Sequence, residues 1–211
     1  MQDTAATQPT TERQSGLRGR PRDPALEPRV FDAALSIYAA QGWEGFTFEQ
    51  VARVAGVGKN ALYRRWPTKG ALLREVLRER WVSADTIHEG NLRDDLRALC
   101  RMLFAHLTGP LGRVGLQLQL DIVRYEVVAE AVAGYSDGVQ RSSRAIVRRA
   151  KERGEIPADI SSTLVMNVIS GAVMSRVSAT PEPLREEMLA RADDFIESLV
   201  ALVYRGLTAP G

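Results

Sequence analysis

A chain of 211 residues is too long for one small helical module and comfortable for such a module joined to a larger body. Apolar residues make up 45% and aromatic ones only 6%, which suits an aliphatic helical core. The net charge of +2 hides an asymmetry: residues 13–80 carry thirteen Arg or Lys against seven Asp or Glu, net +6, and residues 81–211 carry fifteen against seventeen, net −2. Such a split points to a polyanionic partner for the first part, the alternative being a merely solvated basic surface.

The first twelve residues, rich in Thr, Gln and Ala, have no apolar run and no periodicity, so disorder is expected there and a secretion signal is not; the protein is expected in the cytoplasm. Leu17 to Arg22 follows, and its core Arg18-Gly19-Arg20-Pro21 resembles the AT-hook, a slim extended element for narrow minor grooves. Arg18, Arg20 and Arg22 would enter the strong negative potential of such a groove, unless the arm is only a solubilising leader. From Pro28 to Gln41 the spacing of Val30, Ala33, Ala34 and Ile37 predicts a helix, widened on its apolar side by Phe31 and Tyr38 and closed by Gly42. Trp43 and Phe46 are expected to seal the next corner.

Thr47 and Gln50 have capping-box spacing, and Phe48, Val51, Ala52 and Ala55 fall at i, i+3, i+4 and i+7, so a helix starts at Thr47 and Gly56 ends it. A second helix runs from about Gly58 to Trp66. Leu62 and Trp66 turn inward on it, while Asn60, Tyr63 and Arg64 share the other side and Lys59 stands at its start. Two helices about a glycine corner are how a protein lays a helix in a DNA groove. Asn pairs bidentately with adenine and Arg with guanine, and Ala61 or Tyr63 can touch a thymine methyl. The same face would also suit a solvated side of a small helical bundle. Pro67 stops the helix and Thr68 caps the next, in which Lys69 opposes the helix dipole, a placement that a phosphate contact would explain.

The run Thr-Phe-x-x-Val-Ala, then Ala-Gly-Val, then Ala-Leu-Tyr-Arg-Arg-Trp-Pro-Thr-Lys-x-Ala-Leu-Leu resembles the tetracycline-repressor (TetR) family of bacterial transcriptional regulators. With the helix before it, the match covers about a quarter of the chain; the remainder fits in length and helical pattern. The resemblance implies an all-α fold, with an N-terminal three-helix helix-turn-helix DNA-binding domain and a larger C-terminal helical ligand-binding and dimerisation domain. It also implies base contacts from Lys59, Asn60, Ala61 and Arg64, and phosphate contacts from Thr47, Tyr63, Arg65 and Lys69. The operator sequence does not carry over, because this helix varies within the family. The expected division is an arm over residues 1–22, the DNA-binding domain over 23–70 and the body over 71–211.

A helix from about Lys69 to Trp81 would connect the two domains, and in the family a ligand shifts this connector. Leu96, Leu99, Cys100, Leu103, Phe104 and Leu107 predict a further helix, broken at Gly109-Pro110. Cys100 reads as a small buried hydrophobe, with redox sensing as the alternative. Gly115 to Asp121 alternates like a strand but lacks a partner strand, so helix is expected. A long helix from about Tyr135 ends at Gly154, and Asp159 or Ser161 caps another reaching Val177 that is apolar nearly all round and must be buried. Leu164, Val168 and Gly171 of that helix are expected in a dimer interface with Leu189, Ala192, Ile196, Leu199 and Val203 of the last; intramolecular packing is the competing reading. Met102, His106, Gln117, Tyr125 and Asn167 are candidate walls of a small-molecule site. The two histidines lie too far apart for a metal pair, and no GxSxG, CxxC or phosphate-loop pattern occurs, so no enzyme, metal or cofactor is expected.

The expectation is thus a regulator, most often a repressor, that binds a palindromic double-stranded DNA operator as a homodimer and is released by a small-molecule effector, with no membrane role. A helical small-molecule carrier or interaction scaffold that has lost operator recognition is the alternative.

Overall fold

The computed structural model describes residues 25–80 and 83–208, and the side chains of all these except 134–139. The arm residues Arg18, Arg20 and Arg22 lie outside the described residues. Among the described residues ten α-helices follow one another: α1 Leu26–Gly45, α2 Phe48–Ala55, α3 Lys59–Arg65, α4 Lys69–Arg80, α5 Leu92–Thr108, α6 Gly112–Arg124, α7 Glu126–Glu152, α8 Ser162–Ser178, α9 Arg185–Ala190 and α10 Ala192–Thr208. A 3-10 turn, Glu182–Leu184, precedes α9. No strand occurs among the described residues, and the stretch Gly115 to Asp121 is helical within α6.

Local chemistry sets most boundaries. Gly42 breaks the helical path of α1 with φ +62° and ψ −162°, a conformation open almost only to glycine. Thr47 caps α2 by accepting the Gln50 N–H at 3.3 Å, and Gly56 closes it with φ +65°. Only half of the expected capping box forms: the Gln50 amide instead donates to Gln41 Oε1 at 3.0 Å, tying α2 to α1. Thr68 caps α4, Asn91 caps α5 and Ser161 caps α8.

Two apolar cores result. The first gathers Val30, Ile37, Tyr38, Phe46, Val51, Leu62, Trp66, Leu72 and Val76 from α1 to α4, and it takes in Val114 and Leu118 of α6 and Val128 and Val132 of α7. The second packs Leu96, Leu99 and Cys100 of α5 against Ile146 and Val147 of α7, Ile169 and Val173 of α8, and Ile196, Leu199 and Val200 of α10. Arg97 clamps α5 to α10 through Glu197, one guanidinium bond measuring 3.0 Å.

Three expectations need correction. α7 starts at Glu126, nine residues before Tyr135, because Val128, Ala131 and Val132 bury against the first core; Tyr125 alone, extended, separates it from α6. α8 is not buried on all sides: Val165, Ile169, Val173 and Val177 face inward, but Leu164 is 62% exposed and Val168 46%. Finally, Ile196, Leu199 and Val203 of α10 fill the chain's own second core, which removes them from the expected dimer surface.

α6 meets α1 at a buried carboxylate. Asp121, 2% exposed, accepts from the Tyr38 hydroxyl and from the Trp43 N–H, each at 2.9 Å and each at Oδ2, while the Gln117 amide lies 3.4 Å from Oδ1. A Cβ on Gly42 would collide with the Gln117 side chain and lie 3.2 Å from Asp121 Oδ2. Burial, then the bond to Asp121, pushes the Tyr38 phenol well above its ordinary range. α4 meets α7 where Gly70 lies under Val127.

The packing around Cys100 can be tested directly. Burial pushes its thiol up to about 12, so little reactive thiolate exists at pH 8. A disulfide reagent should leave the folded protein unlabelled over hours and label one thiol per chain at once in guanidinium chloride. Fast labelling of the folded protein would refute this packing.

Candidate nucleic-acid interface

α3 is seven residues long and two-faced. Leu62 is fully buried and Trp66, at its end, 1% exposed, while Lys59, Asn60, Tyr63, Arg64 and Arg65 are exposed and Ala61 is half-buried. Trp66 is fixed further by its indole N–H, which donates to Glu75 Oε2 of α4 at 2.6 Å, and by the Phe31 ring 6.1 Å away. The exposed row therefore stands on an anchored base. Tyr63, 48% exposed, is set edge-on against Phe48 of α2, centroid to centroid 4.7 Å.

Three cations of this surface, Lys59, Arg65 and Lys69, have partners within the chain. Lys59 pairs with Glu49 of α2 and lies 5.4 Å from the Tyr63 ring centre. That bond raises the Lys59 ammonium above its ordinary value and lowers the Glu49 carboxyl. Arg65 pairs with Glu27 at the start of α1 and lies over the Trp66 ring. Exposed pairs of this kind are worth little in water, about 0 to 1 kcal/mol, so a phosphate can take the carboxylate's place. Thr47 spends an oxygen lone pair on the α2 cap, leaving its O–H able to donate. Lys69 is half-buried: its ammonium donates to the Trp43 carbonyl at 2.7 Å and lies 3.9 Å from the Trp43 ring centre, and desolvation lowers its pKa. This contact accounts for a cation at the start of α4 without any phosphate.

The sequence pattern thus brings Lys59, Asn60, Ala61, Tyr63, Arg64 and Arg65 onto one short helix, with Thr47 at the head of the preceding one. Glu49, Glu27 and the Trp43 carbonyl are the additions that sequence reasoning missed. No local spacing signals them, since Lys59 and Glu49 stand ten residues apart on different helices.

The five candidate ligand residues do not form one wall. Gln117 and Tyr125 are engaged where α6 meets α1, the Tyr125 hydroxyl donating to Glu44 Oε1 at 2.7 Å. Asn167 is exposed on α8, whereas Met102 is half-buried and His106 buried on α5, where desolvation lowers the imidazole pKa. A surface groove of about 490 Å³ between α1 and the turn before α6 is lined by Asp32, Leu35, Ala39, Pro110, Leu111 and Arg113, and by none of the five.

The family model described as "Bacterial regulatory proteins, tetR family" matches residues 30–76, and "Tetracyclin repressor-like, C-terminal domain" matches residues 86–201. The HTH-type transcriptional regulator AqdR of Rhodococcus erythropolis is 30% identical over 172 residues, covering 78% of this chain and 80% of that protein. Among solved structures, Salmonella enterica GusR superposes with a TM-score of 0.70 at 19% identity, covering 88% of this chain and 96% of that one. Bacillus subtilis FadR, a transcriptional regulator solved in complex with stearoyl-CoA, superposes with a TM-score of 0.62 at 19% identity, covering 82% and 97%. With matched models spanning α1 to α4 and then most of the body, the chain belongs to the TetR family and is a DNA-binding transcriptional regulator.

Proposed function

We propose that this regulator is a cytoplasmic repressor that grips an inverted-repeat operator as a homodimer and lets go when a small molecule binds its body. The observation carrying the DNA reading is the two-faced α3, whose Leu62 and Trp66 are buried while Lys59, Asn60, Tyr63, Arg64 and Arg65 stand free of the core. Lys59, Asn60, Ala61 and Arg64 read base edges in the major groove. Thr47, Tyr63 and Arg65 hold phosphates, and Lys69 joins them if its ammonium swings off Trp43. Residues 23–70 form the DNA-binding unit and 71–211 the body, with residues 1–22 as an arm whose Arg18, Arg20 and Arg22 follow the minor groove. Binding is the only chemistry required of these residues, and no catalysis is assigned to the chain.

The exposed apolar row of α8 supports the dimer. Leu164, Val168 and Gly171 share one face, and Leu202, 72% exposed, marks the outward side of α10. Two copies of this pair make a four-helix interface that sets two recognition helices roughly 34 to 36 Å apart. Leu189, half exposed, and Ala192 border it. In the body, Met102 and His106 remain candidates for the effector wall.

Selection from randomised duplexes should return an inverted repeat, and failure to enrich one would end the operator reading. Changing Arg64 to Ala should cost about 1 to 3 kcal/mol and relax preference at one position of each half-site, whereas Arg65 to Ala should weaken all sequences alike. Equal losses on every duplex from both changes would refute the division of roles. The slope of log affinity against log salt should be about −4 or steeper, for the roughly four phosphates that Arg65 and Lys69 neutralise per dimer and any that Arg18, Arg20 and Arg22 add. A flat response would contradict phosphate contact. Light scattering at micromolar concentration should give a dimer, and Val168→Asp should give a folded monomer with DNA affinity reduced at least about tenfold. A dimer that survives this change would move the interface elsewhere.

A further inference from the structure

Trp43 is held from two sides by groups of opposite character. Its N–H donates to Asp121 of α6 at 2.9 Å, and its carbonyl accepts from Lys69 at the start of α4, at 2.7 Å. One backbone residue is therefore clasped between the body and the connector. It lies just after the Gly42 break and leads through Phe46 and Thr47 into α2 and α3. Phe46, 1% exposed, is stacked edge-on against Tyr38 at 5.6 Å, and Tyr38 is the second donor to the same oxygen of Asp121. Hydrogen bonds are directional where apolar contacts are not, and a buried carboxylate holds its place only while its donors stay aligned. Glycine at position 42 is required by its φ of +62°, and a Cβ there would meet the end of the Gln117 side chain and lie 3.2 Å from Asp121 Oδ2.

We propose that Asp121 is a positioning residue for DNA reading: it fixes the angle at which α1 to α3 leave the body, and thereby the separation of the two recognition helices in the dimer. The proposal rests on the dimeric operator reading above. A displacement of α6 is passed through Asp121 to Trp43 directly, without travelling down α4. The same clasp ties α6 and α4 to one residue, so the two helices cannot move independently while it is closed.

The test is selection on inverted repeats of fixed half-site and variable spacer, using the full-length protein. Wild type should favour one spacer and bind those one base pair longer or shorter at least about tenfold more weakly. Asp121→Ala should keep the same half-site sequence but bring those neighbours to within about threefold of the optimum. Asp121→Asn, which can still place an acceptor oxygen toward Tyr38 and Trp43, should stay close to wild type. Tyr38→Phe, which removes one hydroxyl and keeps the ring, should relax the spacing in the same direction by less, and it carries the test should Asp121→Ala fail to fold. A merely structural carboxylate would lower the melting temperature and weaken every spacer by one factor, and that result overturns the proposal. If wild type selects no inverted repeat, the operator reading falls and this proposal with it. If wild type and variants are equally strict, this proposal alone falls.

Discussion

The burial of Leu62 and Trp66 is the constraint on which the DNA-facing surface depends. A helix of seven residues is far below the length at which helices persist alone in water, so α3 exists because its inner side is packed. With Leu62 at the centre and Trp66 clamped by Phe31 and Glu75, the helix has no freedom to roll, and the outward row is set as a unit. The cost of presenting five polar side chains is borne by two apolar ones. A larger apolar fraction would have hidden the groups proposed to meet bases and phosphates.

The surface is also kept in a ready state. Glu49 and Glu27 occupy Lys59 and Arg65, so side chains that would otherwise sample many rotamers are held near the surface that a phosphate would approach. Both pairs are exposed and so readily exchanged. The first core is not confined to the DNA-binding helices: Leu118, Val128 and Val132 of the body complete it, and Asp121 bonds to α1 beside them. The reading head and the body thus share one packed junction, and their relative orientation is set by side chains from both.

Features with a local cause were legible in the sequence. Thr47, Gly56, Thr68 and Ser161 act within four residues of themselves, and the apolar spacing of α1, α2 and α5 gave their inner faces directly. The start of α7 was not legible, because Tyr125 is neither a capping residue nor a turn former and no glycine or proline separates it from α6. The role of α10 was misread because an apolar seam repeating at three and four fits a partner chain and an internal neighbour equally well. Only the position of α5 decides that Ile196, Leu199 and Val203 are internal. Within the site, residue types on α3 could be placed on a face from spacing alone. Their partners could not, since Glu49, Glu27 and Trp43 reach them through the fold. Asp121, 78 residues from the Trp43 N–H it accepts, had no signal in the sequence at all.

The length of α7 has a thermodynamic consequence. Its 27 residues extend about 40 Å at 1.5 Å per residue, with Val128, Ala131 and Val132 rooted in the first core and Ile146, Val147 and Ala150 in the second. A continuous rod embedded at both ends makes fraying of either end felt at the other. Loss of either core thus loosens the helix in which the other is rooted.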